Sequence, residues 1–250
     1  MPDAPQPIPA ATLVIFRDPP TSGPPELLMV ERAKAMVFAG GAMVFPGGRI
    51  DPEDHALAAP HPDLPDAPAR IAAIRETVEE AGLAIGLTPF PKPATLADLR
   101  RKLHDGVPFG RALDQAELSL DLAQLTPFAR WLPAHRHMRI FDTLFFLARA
   151  PEGEATVDET ENVRLTWTTA QGLLDQADAG RATIIYPTRR NLERLARFDS
   201  FDEAVTDARA HPIRAVTPFT ELRDGVEHLC IPDDLGYPVT SEPMTAALRG

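Results

Sequence analysis

The sequence predicts an α/β fold, because short runs of β-branched and aromatic residues alternate with segments whose apolar residues recur at helical spacing. The chain has 250 residues, of which 44% are hydrophobic and 24% are charged. A chain of this length and composition can bury a core, so it is not predicted to be disordered as a whole. Its length falls between one large domain and two small ones.

The first elements predict a β-hairpin followed by a glycine-rich loop. Residues 11–16 and 26–32 are rich in β-branched and apolar side chains, and the segment 18–25 between them has the prolines and glycine of a turn. Residues 46–48, Pro-Gly-Gly, end an apolar run and predict a loop with unusual backbone angles.

A helix with one apolar and one acidic face is predicted for residues 69–81. Its apolar side chains recur at helical spacing, and Gly82 stands where a C-cap is expected. The preceding residues 55–68 contain four prolines, which neither continue a helix nor pair in the middle of a sheet. This segment therefore predicts an inserted surface loop.

The second half of the chain alternates between the same two patterns. Residues 95–125 have patchy helical periodicity, which predicts a small helical excursion. Strands are predicted at residues 141–148 and 163–168, and helices at residues 170–179 and 188–197. From Phe198 onward, turn residues and short apolar pieces leave the structure of the tail undetermined by pattern.

Charge and cysteine content exclude several classes of protein. The chain has 25 Lys and Arg against 36 Asp and Glu, a net charge of −11, so it lacks the basic field of a general nucleic-acid-binding protein. The single Cys230 excludes an intramolecular disulfide and a CxxC zinc site, which fits a reducing cytoplasm. No signal peptide or membrane-spanning run is recognisable, so we expect no membrane association.

Three carboxylates converge on the predicted helix. Glu76, Glu79 and Glu80 stand at i, i+3 and i+4, which places them on one face, where their charges repel one another. Such a cluster is either a solvated acidic face or a site that attracts a positive charge, from Arg75 or from hard divalent cations that prefer oxygen ligands. The glycine loop upstream favours the second interpretation, since backbone can approach a metal–phosphate centre only where side chains are absent.

These residues resemble the signature of the Nudix hydrolase superfamily, G-x5-E-x7-R-E-U-x-E-E-x-G-U, in which U is apolar. The segment from Arg75 to Leu83 matches every fixed letter and departs only at Thr77, where the first U is expected. Counting from Gly48 places Asp54 where the superfamily has Glu, and the neighbouring Glu53 is an alternative for that role.

The interval between Asp54 and Arg75 is thirteen residues longer than the signature allows, and the excess coincides with the proline-rich segment. An interrupted box of this kind resembles the coenzyme A diphosphatase branch of the superfamily. The segments at residues 27–32, 44–51 and 139–146 fit that branch too, and the resemblance covers about residues 10–195.

The resemblance implies an α/β/α sandwich with a mixed sheet. The Nudix domain would span residues 8–197, with a helical insertion at about 95–125, and residues 198–250 would form a C-terminal extension packed on it. It also implies a catalytic set of Arg75, Glu76, Glu79 and Glu80. The three glutamates would hold Mg²⁺ or Mn²⁺, with one of them as base, and Arg75 would orient them. Gly47 and Gly48 would let the backbone approach the bound phosphates, and Arg32 would either contact a phosphate or be a solvated or ion-paired surface group.

Other polar and aromatic residues have two interpretations each. Glu159 and Glu161 would supply a further ligand or base, or simply form an acidic turn. His135 and His137 resemble a zinc or phosphate cluster, but a loop of alternating basic residues is the simpler interpretation. Trp131 and Phe45 would stack on a base or pack in the core.

Three functions remain open at this point. The first is hydrolysis of the diphosphate in coenzyme A or an acyl-coenzyme A, and the second is hydrolysis of ADP-ribose or another nucleoside diphosphate derivative. The third is a non-catalytic Nudix module that senses a ligand, against which the complete set of carboxylates argues. In each case the expected partner is a small nucleotide derivative, and a homodimer is a candidate assembly.

Overall fold

The computed structural model describes residues 6–33, 39–133, 140–157 and 162–247. Within them, the first half of the chain forms the following elements: β1 Ile8–Arg17, β2 Glu26–Arg32, β3 Met43–Val44, β4 Gly47–Arg49, α1 Pro52–Leu57, α2 Ala67–Ala81, β5 Leu87–Thr88, α3 Pro93–His104, α4 Phe109–Ala116, β6 Ser119–Leu120 and β7 Thr126–Trp131. The second half forms β8 Phe141–Arg149, β9 Asn162–Thr169, α5 Ala170–Asp178, α6 Tyr186–Leu195, α7 Phe201–Ala210, β10 Ala215–Val216, β11 Phe219–Arg223, β12 Val226–Cys230, β13 Ser241–Pro243 and α8 Met244–Ala247.

A mixed sheet organises the molecule. In the described residues it has eight strands in the order β10-β7-β8-β1-β2-β3, with β4 paired to β1 and β9 paired to β2. Strands β1 and β8 run parallel, as do β7 and β10, whereas the other pairs are antiparallel. The predicted hairpin of β1 and β2 is confirmed.

Each face of the sheet carries a separate core. Leu13 and Ile15 of β1 pack on one side with the apolar face of α2 and the helices α3 and α4. Val14 and Phe16 point to the other side, where α5, α6 and α7 pack. This alternation buries both faces of β1, and the predicted α/β/α sandwich with a mixed sheet is confirmed.

The structure corrects two predictions around the interrupted box. Part of the predicted loop 55–68 is helical: α1 begins at Pro52, after the N-cap Asp51, and reaches Leu57, while α2 already begins at Ala67. A proline in the first turn of a helix removes no needed hydrogen bond, so Pro52 and Pro68 are compatible with the starts of α1 and α2. Gly47 and Gly48, predicted as a loop, form strand β4 against Ala11 and Thr12 of β1.

The other predicted elements agree with the structure to within a few residues, whereas β7, α7 and the strands β10 to β13 were not predicted. The helical excursion contains α3 and α4, and the small sheet β5–β6 accompanies them. Trp131 and Phe45 are 1% and 3% exposed, which confirms core packing over base stacking. No helix in the described ranges is long and apolar enough to cross a bilayer. The division between a domain at 8–197 and an extension at 198–250 stays a prediction, although Tyr237 accepts a hydrogen bond from the Trp131 ring nitrogen at 2.9 Å.

Candidate active site

Helix α2 is the platform of the acidic site. Its apolar side chains, Ile71, Ile74 and Val78, are fully buried against the sheet, so the orientation of the opposite face is fixed by core packing. The helix ends at Gly82, whose φ of 63° is the left-handed conformation expected of a C-cap. The carboxylates therefore stand on a rigid element rather than on a loop.

Arg75 is the centre of the charge network. Its Nη1 donates to Glu76 Oε1 at 2.8 Å and lies 3.6 Å from Glu79 Oε2, and its Nη2 donates to the carbonyl oxygen of Arg49 at 2.9 Å. Burial alone would lower the pKa of Arg75, but the hydrogen bond with Asp54 and the charges of Glu76, Asp54 and Glu79 raise it above its ordinary value. The guanidinium is thus permanently charged and orients two of the three predicted catalytic glutamates.

Asp54, which stands where the signature has Glu, holds Arg75 from the other side. It is fully buried, and its two oxygens accept from Arg75 Nε at 3.2 Å and Nη2 at 3.0 Å. It also accepts from the backbone N–H of Asp51 at 2.8 Å, as part of the capping box of α1. Glu53, the alternative for this place, accepts from the Gly110 N–H on α4, so Asp54 is the one of the two acids that contacts Arg75.

Glu76 faces the glycine strand β4. A Cβ on Gly48 would lie 2.2 Å from Glu76 Oε1, so only glycine leaves room for this carboxylate. Burial raises the pKa of Glu76 to about 8; Arg75 opposes this, while the charges of Glu80 and Glu79 add to it. The carboxylate is therefore short of positive charge in spite of its contact with Arg75.

Two neutral groups donate hydrogen bonds to Glu80. Its Oε2 accepts from the Gly47 N–H at 2.9 Å, and its Oε1 accepts from Asn162 Nδ2 at 3.0 Å. Only glycine fits at position 47, because its φ is 158° and a Cβ there would lie 2.4 Å from the Ala11 carbonyl oxygen. Sequence reasoning gave Asn162 no role, since nothing local marks a buried amide at the start of β9.

Glu79 is the most accessible of the three, with about a quarter of its side chain exposed. Burial raises its pKa, while Arg75 and His104 lower it. The α2 carbonyls of Glu79 and Glu80 accept from Arg100 Nε at 2.8 Å and Nη2 at 3.1 Å, so a cation on α3 caps the end of the carboxylate helix. Arg100 was also missed, because its contact depends on the packing of two helices.

Arg32 lies beside this cluster at the end of β2. Its Cα is paired with Asn162, which donates to Glu80, just beyond a register irregularity between Glu31 and Arg32. Contact of Arg32 with a substrate stays a prediction. Glu159, Glu161, His135 and His137 lie outside the described residues.

Comparison with known proteins decides the family. No family model matches the chain. A NUDIX hydrolase from Alicyclobacillus acidocaldarius, known from a crystal structure, is 30% identical to this chain in sequence. The two structures superpose with a TM-score of 0.68, and the match covers 80% of this chain and 96% of the other. The chain belongs to the Nudix hydrolase family. The predicted enzyme class, a Nudix pyrophosphohydrolase, is confirmed.

Two curated relatives of this Nudix hydrolase are more distant. One is named putative nudix hydrolase 7 of Caenorhabditis elegans and is 24% identical, over 84% of this chain and 69% of its own length. The other is named acyl-coenzyme A diphosphatase NUDT19 of Homo sapiens and is 25% identical, over 87% of this chain and 75% of its own length.

The site of the Nudix hydrolase suits a hard divalent cation. In the part of the chain that the structure describes, no three His, Cys, Asp or Glu side chains are already gathered around a point that could hold a metal. Arg75 bridges Glu76 and Glu79, and Glu80 is turned toward Gly47 and Asn162. The donors are nevertheless carboxylate oxygens, and burial raises the pKa of Glu76 and Glu79, so a hard cation such as Mg²⁺ or Mn²⁺ would stabilise their charged forms.

Proposed function

We propose that this Nudix hydrolase cleaves the diphosphate of coenzyme A or an acyl-coenzyme A, with Mg²⁺ or Mn²⁺ as its metal. The observation that carries the hydrolytic role is the close approach of Glu76 and Glu80 to the backbone of Gly47 and Gly48, which brings two carboxylates of the signature helix to a strand that has no side chains at this point. The substrate is supported by the insertion between Asp54 and Arg75 and by the likeness to a relative named acyl-coenzyme A diphosphatase.

The glutamates of α2 would hold the metal. Bound by Glu76, Glu79 and Glu80, such a cation would neutralise charge on the phosphoryl oxygens and make water more acidic. Arg75 keeps Glu76 and Glu79 oriented, while the Gly47 N–H and Asn162 keep Glu80 oriented.

In the reaction, the oxygen of water forms a bond to one phosphorus and the anhydride P–O bond breaks, which gives an adenosine bisphosphate and a phosphopantetheine. One of the three glutamates takes the proton of the water. Arg32, at the end of β2, would meet the negative charge of the leaving phosphate.

The expected setting of this activity is the cytoplasm, with a small nucleotide derivative as the partner. The support for a reducing compartment is the single cysteine of the chain, Cys230, which is buried. The net charge of −11 also makes local groups, rather than a general positive field, responsible for attracting an anionic substrate.

A panel of substrates tests the proposal. The purified chain would be incubated with Mg²⁺ or Mn²⁺ and coenzyme A, acyl-coenzyme A, ADP-ribose, NADH or a nucleoside triphosphate, and the products resolved by mass spectrometry. We expect the highest kcat/KM for coenzyme A or its acyl derivatives. We also expect turnover to be lost when a metal chelator is added. A higher kcat/KM for ADP-ribose would overturn the proposed substrate assignment. Absence of metal-dependent turnover for every compound would overturn the proposed hydrolytic role.

We expect the pantetheine arm to occupy a groove at the end of α2. It has a volume of about 580 Å³ and begins at Gly82, beside His104, whose ring nitrogen lies 3.2 Å from the Glu79 carbonyl oxygen. Leu83, Ala84, Phe90 and Leu96 give it an apolar lining, while its charged lining residues are Arg100, Arg101, Glu152 and Glu154. This balance of charges suits an extended neutral chain better than a second phosphate group.

Filling the groove should discriminate against the acyl substrate. Ala97 on α3 lines the groove and is exposed, so Ala97→Trp should lower kcat/KM for a long-chain acyl-coenzyme A by about tenfold, roughly 1.4 kcal/mol, while ADP-ribose turnover is unchanged. Steady-state kinetics would measure both. Ala94→Trp, exposed on the same helix but outside the groove lining, is the control and should match the wild type. Equal effects of the two substitutions on acyl-coenzyme A would place the arm elsewhere.

A further inference from the structure

Strand β11 presents an unusually exposed apolar surface. All of Phe219–Arg223 is exposed; Leu222 is 68% and Phe219 is 49% accessible, and Val226, at the start of β12, is 48% accessible. In the small sheet β11-β12-β13, the described residues give β11 a partner on one side only. An open, partly apolar strand edge is a surface that another strand can pair with.

The hairpin turn determines which backbone groups of β11 face outward. Arg223 pairs with Val226 across a two-residue turn, Asp224 and Gly225, whose φ values of 49° and 78° are those of a type I′ hairpin. Residues that flank such a turn exchange hydrogen bonds, and alternate pairs do so along the ladder. The N–H and C=O groups of Leu222 and Thr220 therefore point to the open edge.

We propose that β11 pairs antiparallel with β11 of a second copy of this chain, about a twofold axis at Leu222. Leu222 then lies opposite its own copy and exchanges two hydrogen bonds with it. On either side of the axis, Glu221 of one copy lies opposite Arg223 of the other. The surface is self-complementary, as an isologous dimer requires, and the pairing closes with two chains instead of continuing into a fibre.

Hydrogen-bond direction allows an axis at Leu222 or at Thr220, and charge favours Leu222. Only that register places Glu221 of each copy opposite Arg223 of the other, whereas an axis at Thr220 would place Glu221 opposite Phe219. In the single chain, Glu221 and Arg223 form an ion pair of 2.7 Å with both side chains about half exposed, which contributes little stability. Both groups are thus available to a partner across the edge.

Oligomeric state tests the proposal, measured on the full chain by sedimentation velocity and light scattering over a range of concentrations. We expect a dimer for the wild type and a monomer for Leu222→Asp, which would bring two carboxylates together at the axis. Glu227→Lys, on the neighbouring strand β12 and away from the open edge, is the control and should remain dimeric, with circular dichroism verifying the fold of each variant. A monomeric wild type up to about 100 µM, or a dimeric Leu222→Asp, would overturn the inference.

Charge reversal tests the register itself. Glu221→Arg alone and Arg223→Glu alone each place like charges opposite one another and should weaken dimerisation by about tenfold or more. Mixing the two variants should restore it, because one chain is then positive at both positions and the other negative. The double reversal should also dimerise, and failure of both rescues would show that a different register or surface is used.

Discussion

Replacing Glu80 by glutamine is expected to lower diphosphate turnover by about 100- to 10,000-fold, the range that removal of a single acid–base group spans. Glutamine has the same shape, and its oxygen can still accept from the Gly47 N–H, so the packing of α2 is preserved. The change removes a negative charge from the carboxylate cluster, and with it a predicted metal ligand.

The measurement is kcat/KM on the preferred substrate, with urea unfolding to verify that the fold is retained. Glu53→Gln is the matched control, since this acid adjoins the signature position but accepts from the Gly110 N–H, away from Arg75. We expect its activity to equal that of the wild type. If Glu80→Gln were as active as Glu53→Gln, the metal site would have to lie elsewhere.

The second large effect is expected on stability, from removal of Arg75. Arg75→Met leaves Asp54, which is 0% exposed, as a buried carboxylate without its ion-pair partner. Loss of one member of a buried pair destabilises a protein by about 3–5 kcal/mol. We therefore expect a decrease of this size in the free energy of unfolding, measured by urea denaturation, together with loss of activity.

Two further variants test whether the buried charge of Asp54 is the cause of that loss of stability. Asp54→Asn combined with Arg75→Met removes both charges and should recover part of the lost stability, because the buried charge is gone. Arg164→Met breaks an exposed pair with Glu31, in which the Arg164 side chain is 60% accessible, and should change stability by less than about 1 kcal/mol. An Arg75→Met variant as stable as Arg164→Met would contradict the structural role of the buried pair.

The carboxylate helix could be predicted from sequence because its information is local. The spacing of Ile71, Ile74 and Val78 gives the buried face, and Gly82 gives the end, without reference to any other part of the chain. The proximity of Glu76 to Arg75 follows from the same helix. These features depend on contacts within about one turn, which periodicity records.

The rest of the candidate site depends on contacts distant in sequence. Asn162 reaches Glu80 from 82 positions away, and Arg100 caps the helix from 20 positions away. Neither position carries a local signal, since an asparagine or an arginine that makes such a contact cannot be told from a surface residue of the same type by its neighbours in sequence. The strand β4 was missed for a related reason: two glycines predict a turn, and only pairing with β1 makes them extended.

The arginine that spans the interrupted box also has a consequence for engineering. Because Arg75 bonds to both Arg49 and Asp54, the end of β4 and the start of α1 are anchored to α2 irrespective of the chain that joins α1 to α2. That connection, at residues 58–66, exposes Pro60, Pro62 and Asp63 to solvent. Lengthening such a loop has a cost that grows only with the logarithm of its length, about 0.6 kcal/mol for each doubling. A reporter peptide or an affinity tag could therefore be spliced in at this point, close to the carboxylates yet independent of their geometry.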